Sequence, residues 1–154
     1  MIIQYKDLTG LQRKVVMVDG CFDPLHHGHI EYFKFAVSFR LPVLCNVEND
    51  RYMREVKKRP PLLTFKERAI VIDSIRYISY THLQVTTTDD VLRLLQPAIY
   101  VKGSDWKNKS LPKEEKDICR KFKIKIEFAP SVTSSTKIVK RFLDEYSKNF
   151  TKRK

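Results

Sequence analysis

The sequence predicts an α/β fold: a five-stranded, mainly parallel sheet with helices on both faces. Three observations carry that reading. Short apolar runs alternate with segments of helical periodicity along the 154 residues, the pattern of repeated strand–helix crossovers. The chemically unusual residues fall just after apolar runs or at helix starts, which a parallel sheet gathers along one edge. No repeat or low-complexity linker interrupts the pattern, so a single domain over 1–154 is expected, with a core at about 14–142 and a basic tail at 143–154.

Taken in order, Val15–Val18 reads as the first strand and Gly28–Phe39 as an amphipathic helix, with Ile30, Phe33, Phe35 and Val37 among its apolar positions. Pro42–Val47 is a buried strand. Thr64 and Glu67 have capping-box spacing ahead of Ala69-Ile-Val-Ile72, so a helix is expected from about Thr64 to Tyr77. Leu83–Thr86 reads as a short strand, and Asp89–Leu95 as a helix stopped before Pro97. Ala98–Val101 is the next strand, followed by a helix at Lys113–Phe122 and a strand at Ile124–Phe128. Ser134-Ser-Thr-Lys-Ile138 opens the last helix, whose apolar stripe includes Ile138, Val139, Phe142 and Leu143.

Composition narrows the classes of function. The apolar fraction is 42%, enough for a folded core. No apolar stretch approaches a membrane span, and the N-terminus lacks the profile of a secretory signal. Cys21, Cys45 and Cys119 are an odd set without metal-type spacing and read as free thiols, so a cytoplasmic location is expected. The net charge of +12, from 30 Lys and Arg against 18 Asp and Glu, suits a polyanionic ligand, either a small phosphorylated substrate or nucleic acid. Aromatics do not interleave with the basic runs as a base-stacking platform would require, and no groove-reading motif accompanies them.

The most informative segment is Gly20-Cys-Phe-Asp-Pro-Leu-His-His-Gly-His29. It puts His26, Gly28 and His29 where a strand gives way to a helix, so two imidazoles stand beside free backbone N–H groups and the positive end of a helix dipole. That combination suits phosphate. Each feature also has a plainer explanation. Ser134–Thr136 could simply cap a helix. Lys57–Arg59 could be a solvated charge run, and Trp106 could close a core edge. Cys21 has no base beside it in sequence and reads as a packing residue. The histidines with Cys21 could form a zinc cluster, although no second pair has suitable spacing.

Four blocks together are similar to the HxGH signature and its companions in the cytidylyltransferase-like nucleotidyltransferase superfamily. They are Gly20–His29, Lys57-Lys-Arg-Pro60 with Glu67-Arg68, Val101-Lys-Gly-Ser-Asp-Trp106, and Ser134–Ile138, in the family's order and approximate spacing. The chain most resembles heptose 1-phosphate adenylyltransferases and glycerol-3-phosphate cytidylyltransferases. This resemblance implies a Rossmann-like three-layer α/β/α fold and transfer of a nucleoside monophosphate from ATP or CTP to a phosphate monoester, such as a sugar or polyol phosphate. It implies catalytic roles for His26, His29, Lys57, Lys58 and Arg68, the last on the triphosphate or the acceptor phosphate. Nucleotide contacts would come from Gly20, Cys21, Phe22, Asp23, Gly28, Lys102, Gly103, Asp105, Trp106, Ser134, Ser135 and Thr136, and acceptor contacts from Asn49 and Asp50. Mg²⁺ held mainly by the triphosphate is implied as cofactor, and a homodimer as the assembly. Arg40-Leu-Pro-Val43 and Phe65 are the sequence's own support for an interface. One departure stands out: Ala129-Pro-Ser-Val-Thr133 lacks the arginine that cytidylyltransferases of this type commonly carry ahead of the Ser-Thr block. A nucleotide-binding regulatory module without turnover and a basic nucleic-acid-binding protein are the alternatives.

Overall fold

A computed structural model describes residues 1–104, 106–107, 110–130 and 133–151, with side chains as far as Lys148 in the last helix. Its strands are β1 (Ile2–Ile3), β2 (Val16–Gly20), β3 (Val43–Val47), β4 (Tyr80–Leu83), β5 (Ile99–Gly103) and β6 (Lys125–Ala129). They pair in parallel in the order β1-β4-β3-β2-β5-β6. The sheet therefore has six strands where the sequence predicts five. The extra one is β1, whose Ile2 and Ile3 pair with Thr81 and His82 at the β4 edge. Two residues are too short a run to show periodicity.

The connecting helices are α1 (His27–Val37), α2 (Asp50–Glu55), α3 (Phe65–Asp73), α4 (Thr88–Leu95), α5 (Lys113–Lys121) and α6 (Ser135–Thr151), with a 3₁₀ helix over Tyr5–Leu11. Capping explains several starts. Thr64 and Thr87 each accept the N–H of the residue three further on, while Glu67 and Asp90 reach back to the cap. The stretch expected as a basic tail from 143 onward continues helix α6 as far as Thr151.

Alternation along the strands fills both faces of the sheet. Val16, Val18, Val43, Cys45 and Val101 point to one core with Phe33, Ala36 and Ile72. Val15, Met17, Leu44 and Tyr100 point to the other with Leu8, Val91, Leu95 and Ile118. The apolar residues offered as a dimer contact belong to the first core: Val43 is 1% exposed, and Leu41 and Phe65 pack against the same cluster. Val43 is thereby taken up by the core, while Leu41 and Phe65 keep part of their surface accessible.

Strand β2 is neighboured by β3 on one side and β5 on the other. Chain order thus reverses at β2, and a crevice opens at the carboxyl ends of β2 and β5.

Candidate active site

At the end of β2 the chain turns through Phe22, which takes a positive φ of 51°, and enters α1 with His26 at the N-cap. The backbone N–H of His26 donates to His29 Nδ1 at 3.3 Å. In neutral His29 the ring proton is therefore on Nε2, free to donate into the crevice. The two imidazoles stack with centroids 3.7 Å apart, and His29 meets the Phe22 ring at 5.1 Å. Gly28 permits this approach: a Cβ there would lie 3.0 Å from His26 Nδ1 and 3.1 Å from Thr133 Cγ2. Burial, then proximity to His26, holds the pKa of His29 down to about 3; His26 is lowered by burial and by His27. Among the described residues, neither ring nitrogen of His26 has a hydrogen-bond partner. An apolar wall, a helix start and two imidazoles whose pKa values are lowered thus stand together, a setting of the kind in which an oxyanion can be held and would draw protons onto the rings.

The crevice has a volume of about 500 Å³ and gathers residues from four parts of the chain. The β2–α1 turn supplies Gly20, Cys21, Phe22, His26, Gly28 and His29; the loop after α2 supplies Lys57 and Arg59; β5 and its extension supply Lys102, Gly103 and Trp106; the start of α6 supplies Ser134, Ser135 and Thr136. Ser134 Oγ accepts the Lys137 N–H, and Ser135 Oγ donates to the Pro24 carbonyl at 3.2 Å, tying α6 to the α1 turn. Two helix N-termini consequently converge on one space. Lys58 is not among the residues lining it, and Asp105 lies outside the described residues.

Three charged residues selected from the sequence have other work. Arg68 is 1% exposed. It donates to the carbonyls of Leu63, Cys21 and Glu48 and pairs with Asp50 at 2.7 Å, so it braces three loops instead of facing the crevice. Asp23 is fully buried; it pairs with Arg59 at 2.9 Å and accepts the N–H groups of Leu62 and Leu63. Asp23 therefore clamps the basic loop over the crevice, as an interior carboxylate with a cation and backbone donors can. Lys102, 5% exposed, turns its ammonium to both Asp19 oxygens and Tyr100 Oη at 2.9 Å, and stands 4.8 Å over the Trp106 ring. Burial works against its charge, but Asp19 and then Glu115 more than offset this, and its pKa is raised. Arg59, like Asp19 and Tyr32, lines the crevice without having been given a role from the sequence, because a charge run shows no partner. Its buried carboxylate lies 36 residues away.

Beside the crevice lies a second cleft of about 580 Å³ between the ends of β3 and β4, bordered by Glu48, Asn49, Tyr52, Gln84, Thr88 and Glu115 among others. Asn49 caps α2 through the Tyr52 N–H, so of the two expected acceptor contacts it borders this cleft while Asp50 serves Arg68. Under its floor runs a buried chain: His82 Nδ1 to Asn46 Oδ1 at 2.7 Å, Asn46 to Gln84, and Gln84 Nε2 to Glu48 Oε2 at 2.6 Å. Burial and then Asp19 push the Glu48 pKa up to about 7. Burial likewise pushes the Cys21 thiol up to about 11, which suits a packing residue and not a nucleophile.

The profile of the cytidylyltransferase-like family matches residues 17–141, from β2 into α6. The chain belongs to the cytidylyltransferase-like family. Among curated relatives, the bifunctional protein HldE of Geobacter metallireducens is 31% identical over 140 residues, and that of Trichlorobacter lovleyi 30% over 139. These alignments cover 87% and 88% of this chain but 28% of each relative, so the chain spans less than a third of their length. Among solved structures, a lipopolysaccharide core biosynthesis protein from Thermoplasma volcanium superposes with a TM-score of 0.63 at 22% identity, covering 78% of this chain and 97% of that one. A pantoate–β-alanine ligase from Francisella tularensis gives 0.60 at 13% identity, over 88% and 68%. Both share the fold. As a member of the cytidylyltransferase-like family, the chain carries its HxGH segment at the β2–α1 turn, the point where the sheet order reverses.

Proposed function

We propose that this protein transfers a nucleoside monophosphate from a nucleoside triphosphate to a phosphate monoester and releases pyrophosphate. The observation that carries the reading is the convergence of the α1 and α6 starts, the His26–His29 stack, and Lys57 and Arg59 on one crevice. In the reaction an acceptor phosphate oxygen attacks the α-phosphorus, the bond from that phosphorus to the α–β bridging oxygen breaks, and pyrophosphate leaves with the electron pair. A phosphate monoester has a second pKa near ~6, so its oxygen is already nucleophilic at neutral pH and needs no general base. The protein then has to align the two phosphates and stabilise the charge that develops.

His29, through Nε2, donates to an α-phosphoryl oxygen, and His26 joins it as the oxyanion raises the pKa of both rings. Ser134–Thr136 and the free N–H groups of α6 hold the outer phosphates, with Lys57 and Arg59 closing over them. The acceptor enters from the second cleft, whose Glu115 stands 3.9 Å from the ammonium of Lys102 in the crevice. Among the described residues no group of three or more His, Cys, Asp or Glu is arranged to hold a cation; the Mg²⁺ that this reading includes would travel on the triphosphate, where it neutralises phosphate charge. ATP is preferred over CTP, in keeping with the resemblance to heptose 1-phosphate adenylyltransferases and the missing arginine before Ser134. A pyrophosphate-release screen crossing four nucleoside triphosphates with sugar, polyol and amino-alcohol phosphates tests the proposal. Release that depends on both a triphosphate and one acceptor class is expected. Release independent of any acceptor, or none from any pair, would count against it.

A further inference from the structure

Helix α6 starts at the crevice, where Ser135 bonds to Pro24, and its residues 141–148 are exposed. Its apolar side chains fall on one stripe at helical spacing: Ile138 and Val139, then Phe142 and Leu143, then Tyr146. Toward its end this stripe faces solvent, with Phe142 63% exposed, Leu143 56% and Tyr146 50%. The Phe142 and Tyr146 rings stack on each other at 5.8 Å. Monomeric proteins rarely leave neighbouring large apolar groups as exposed as Phe142 and Leu143 are here. On the opposite side of the helix stand Lys137, Lys140, Arg141 and Lys148, with Asp144 among them and Glu145 at the edge of the stripe, four cations against two carboxylates, and the sequence continues after Thr151 with Lys-Arg-Lys. That charge decides between occupants. A second copy would bring another stripe bordered by the same cations, within a chain of net charge +12. An anionic surface would meet complementary charge on the polar side and in the tail.

We propose that α6 docks the protein on an anionic lipid surface, lying in the plane of the headgroups with Phe142, Leu143 and Tyr146 inserted. No helix among the described residues is long and apolar enough to cross a membrane; lying on one needs only a charged face opposite an apolar one. Basic side chains near the surface add attraction that falls off within a Debye length, so the docking depends on both insertion and charge. It stands apart from the proposed reaction, since none of these side chains lines the crevice.

Cosedimentation of the full chain with vesicles of phosphatidylcholine, alone or mixed with phosphatidylglycerol, tests this. Binding to the mixed vesicles and little to the pure ones is expected, weakened but not abolished by salt. The double substitution Phe142→Asp with Leu143→Asp should lower binding at least about tenfold while circular dichroism stays unchanged, because both residues are exposed and the basic residues remain. Lys148→Glu should weaken binding to the mixed vesicles alone. Absence of binding overturns the proposal, as does binding insensitive to Phe142 and Leu143, which would be charge adsorption only. A dimer by light scattering that this double substitution converts to monomer would assign the stripe to a second copy and overturn it equally.

Discussion

His29 shows how one residue gains its role from neighbours that sequence order partly conceals. The HxGH spacing was enough to pair it with His26, but not to show that His26 N–H occupies its Nδ1 and leaves Nε2 facing the crevice. A donor aimed at charge that develops in the transition state contributes to turnover more than to ground-state binding. His29→Ala should therefore lower kcat by about 10²–10³ with a smaller change in triphosphate dissociation constant, read from steady-state kinetics and calorimetry. An equal loss in affinity with kcat intact would make His29 a binding group. Arg68 is the opposite case. The sequence displays its charge, but the three carbonyls that consume its donors come from Cys21, Glu48 and Leu63, and nothing local announces them.

Glu48 carries the pH dependence that can be assigned to one group. Its folded pKa of about 7 stands above the ordinary 4.5, so between those values the folded state holds a proton that the unfolded chain has lost. The contribution of Glu48 to stability is thus full below about 4.5 and is lost as pH rises through 7. His82 and His29 run the other way, lowered by burial to about 4 and about 3, so their contribution is lost as pH falls below the usual histidine range. Replacing Glu48 by Gln isolates the first effect. Relative to the parent, Glu48→Gln should gain up to about 3 kcal/mol between pH 5 and pH 8, measured as the difference in urea-unfolding free energy at each pH. A stability difference that does not change with pH would mean that Glu48 is ionised in the folded protein across that range.

At the scale of elements, strong periodicity and capping chemistry were legible and short or polar segments were not. The capping pairs Thr64–Glu67 and Thr87–Asp90 hold α3 and α4 as drawn by the structure, although only the first was read from the sequence. Strand β4 lies at Tyr80–Leu83, three residues before the predicted position. Its Thr81 and His82 are buried, with His82 bonded to Asn46, whereas Val85, within the predicted Leu83–Thr86 strand, is 68% exposed. Tertiary hydrogen bonding overrode local hydropathy there. The six-residue α2 was missed because it is short and polar, set by its Asn49 cap. The start of α1 gives an element-level prediction. Gly28→Ala improves intrinsic helix propensity, so thermal stability should hold. The new Cβ would press on His26 Nδ1 and Thr133, however, and displacing a reacting-site group by a fraction of an ångström should lower kcat/KM by about tenfold to a hundredfold. Unchanged kcat/KM would show that the His26–His29 stack is not needed in this geometry.

For the whole molecule, the parallel sheet turns sequence-distant residues into one site. Gly20, Gly103 and the segment after β6 reach the same edge because β2, β5 and β6 run side by side, with Gly103 paired to Ala129. That gathering was legible from alternation alone, since any parallel sheet produces it; the sixth strand and the burial of Val43 required the assembled core. The central claim is that the crevice positions attack at the α-phosphorus. Triphosphate labelled either at the α- or at the γ-phosphorus, incubated with an accepted phosphate monoester, tests it most directly. The α-label should appear in the acceptor product and the γ-label in pyrophosphate. Finding the γ-label on the acceptor, or the α-label only as free nucleoside monophosphate, would contradict the account.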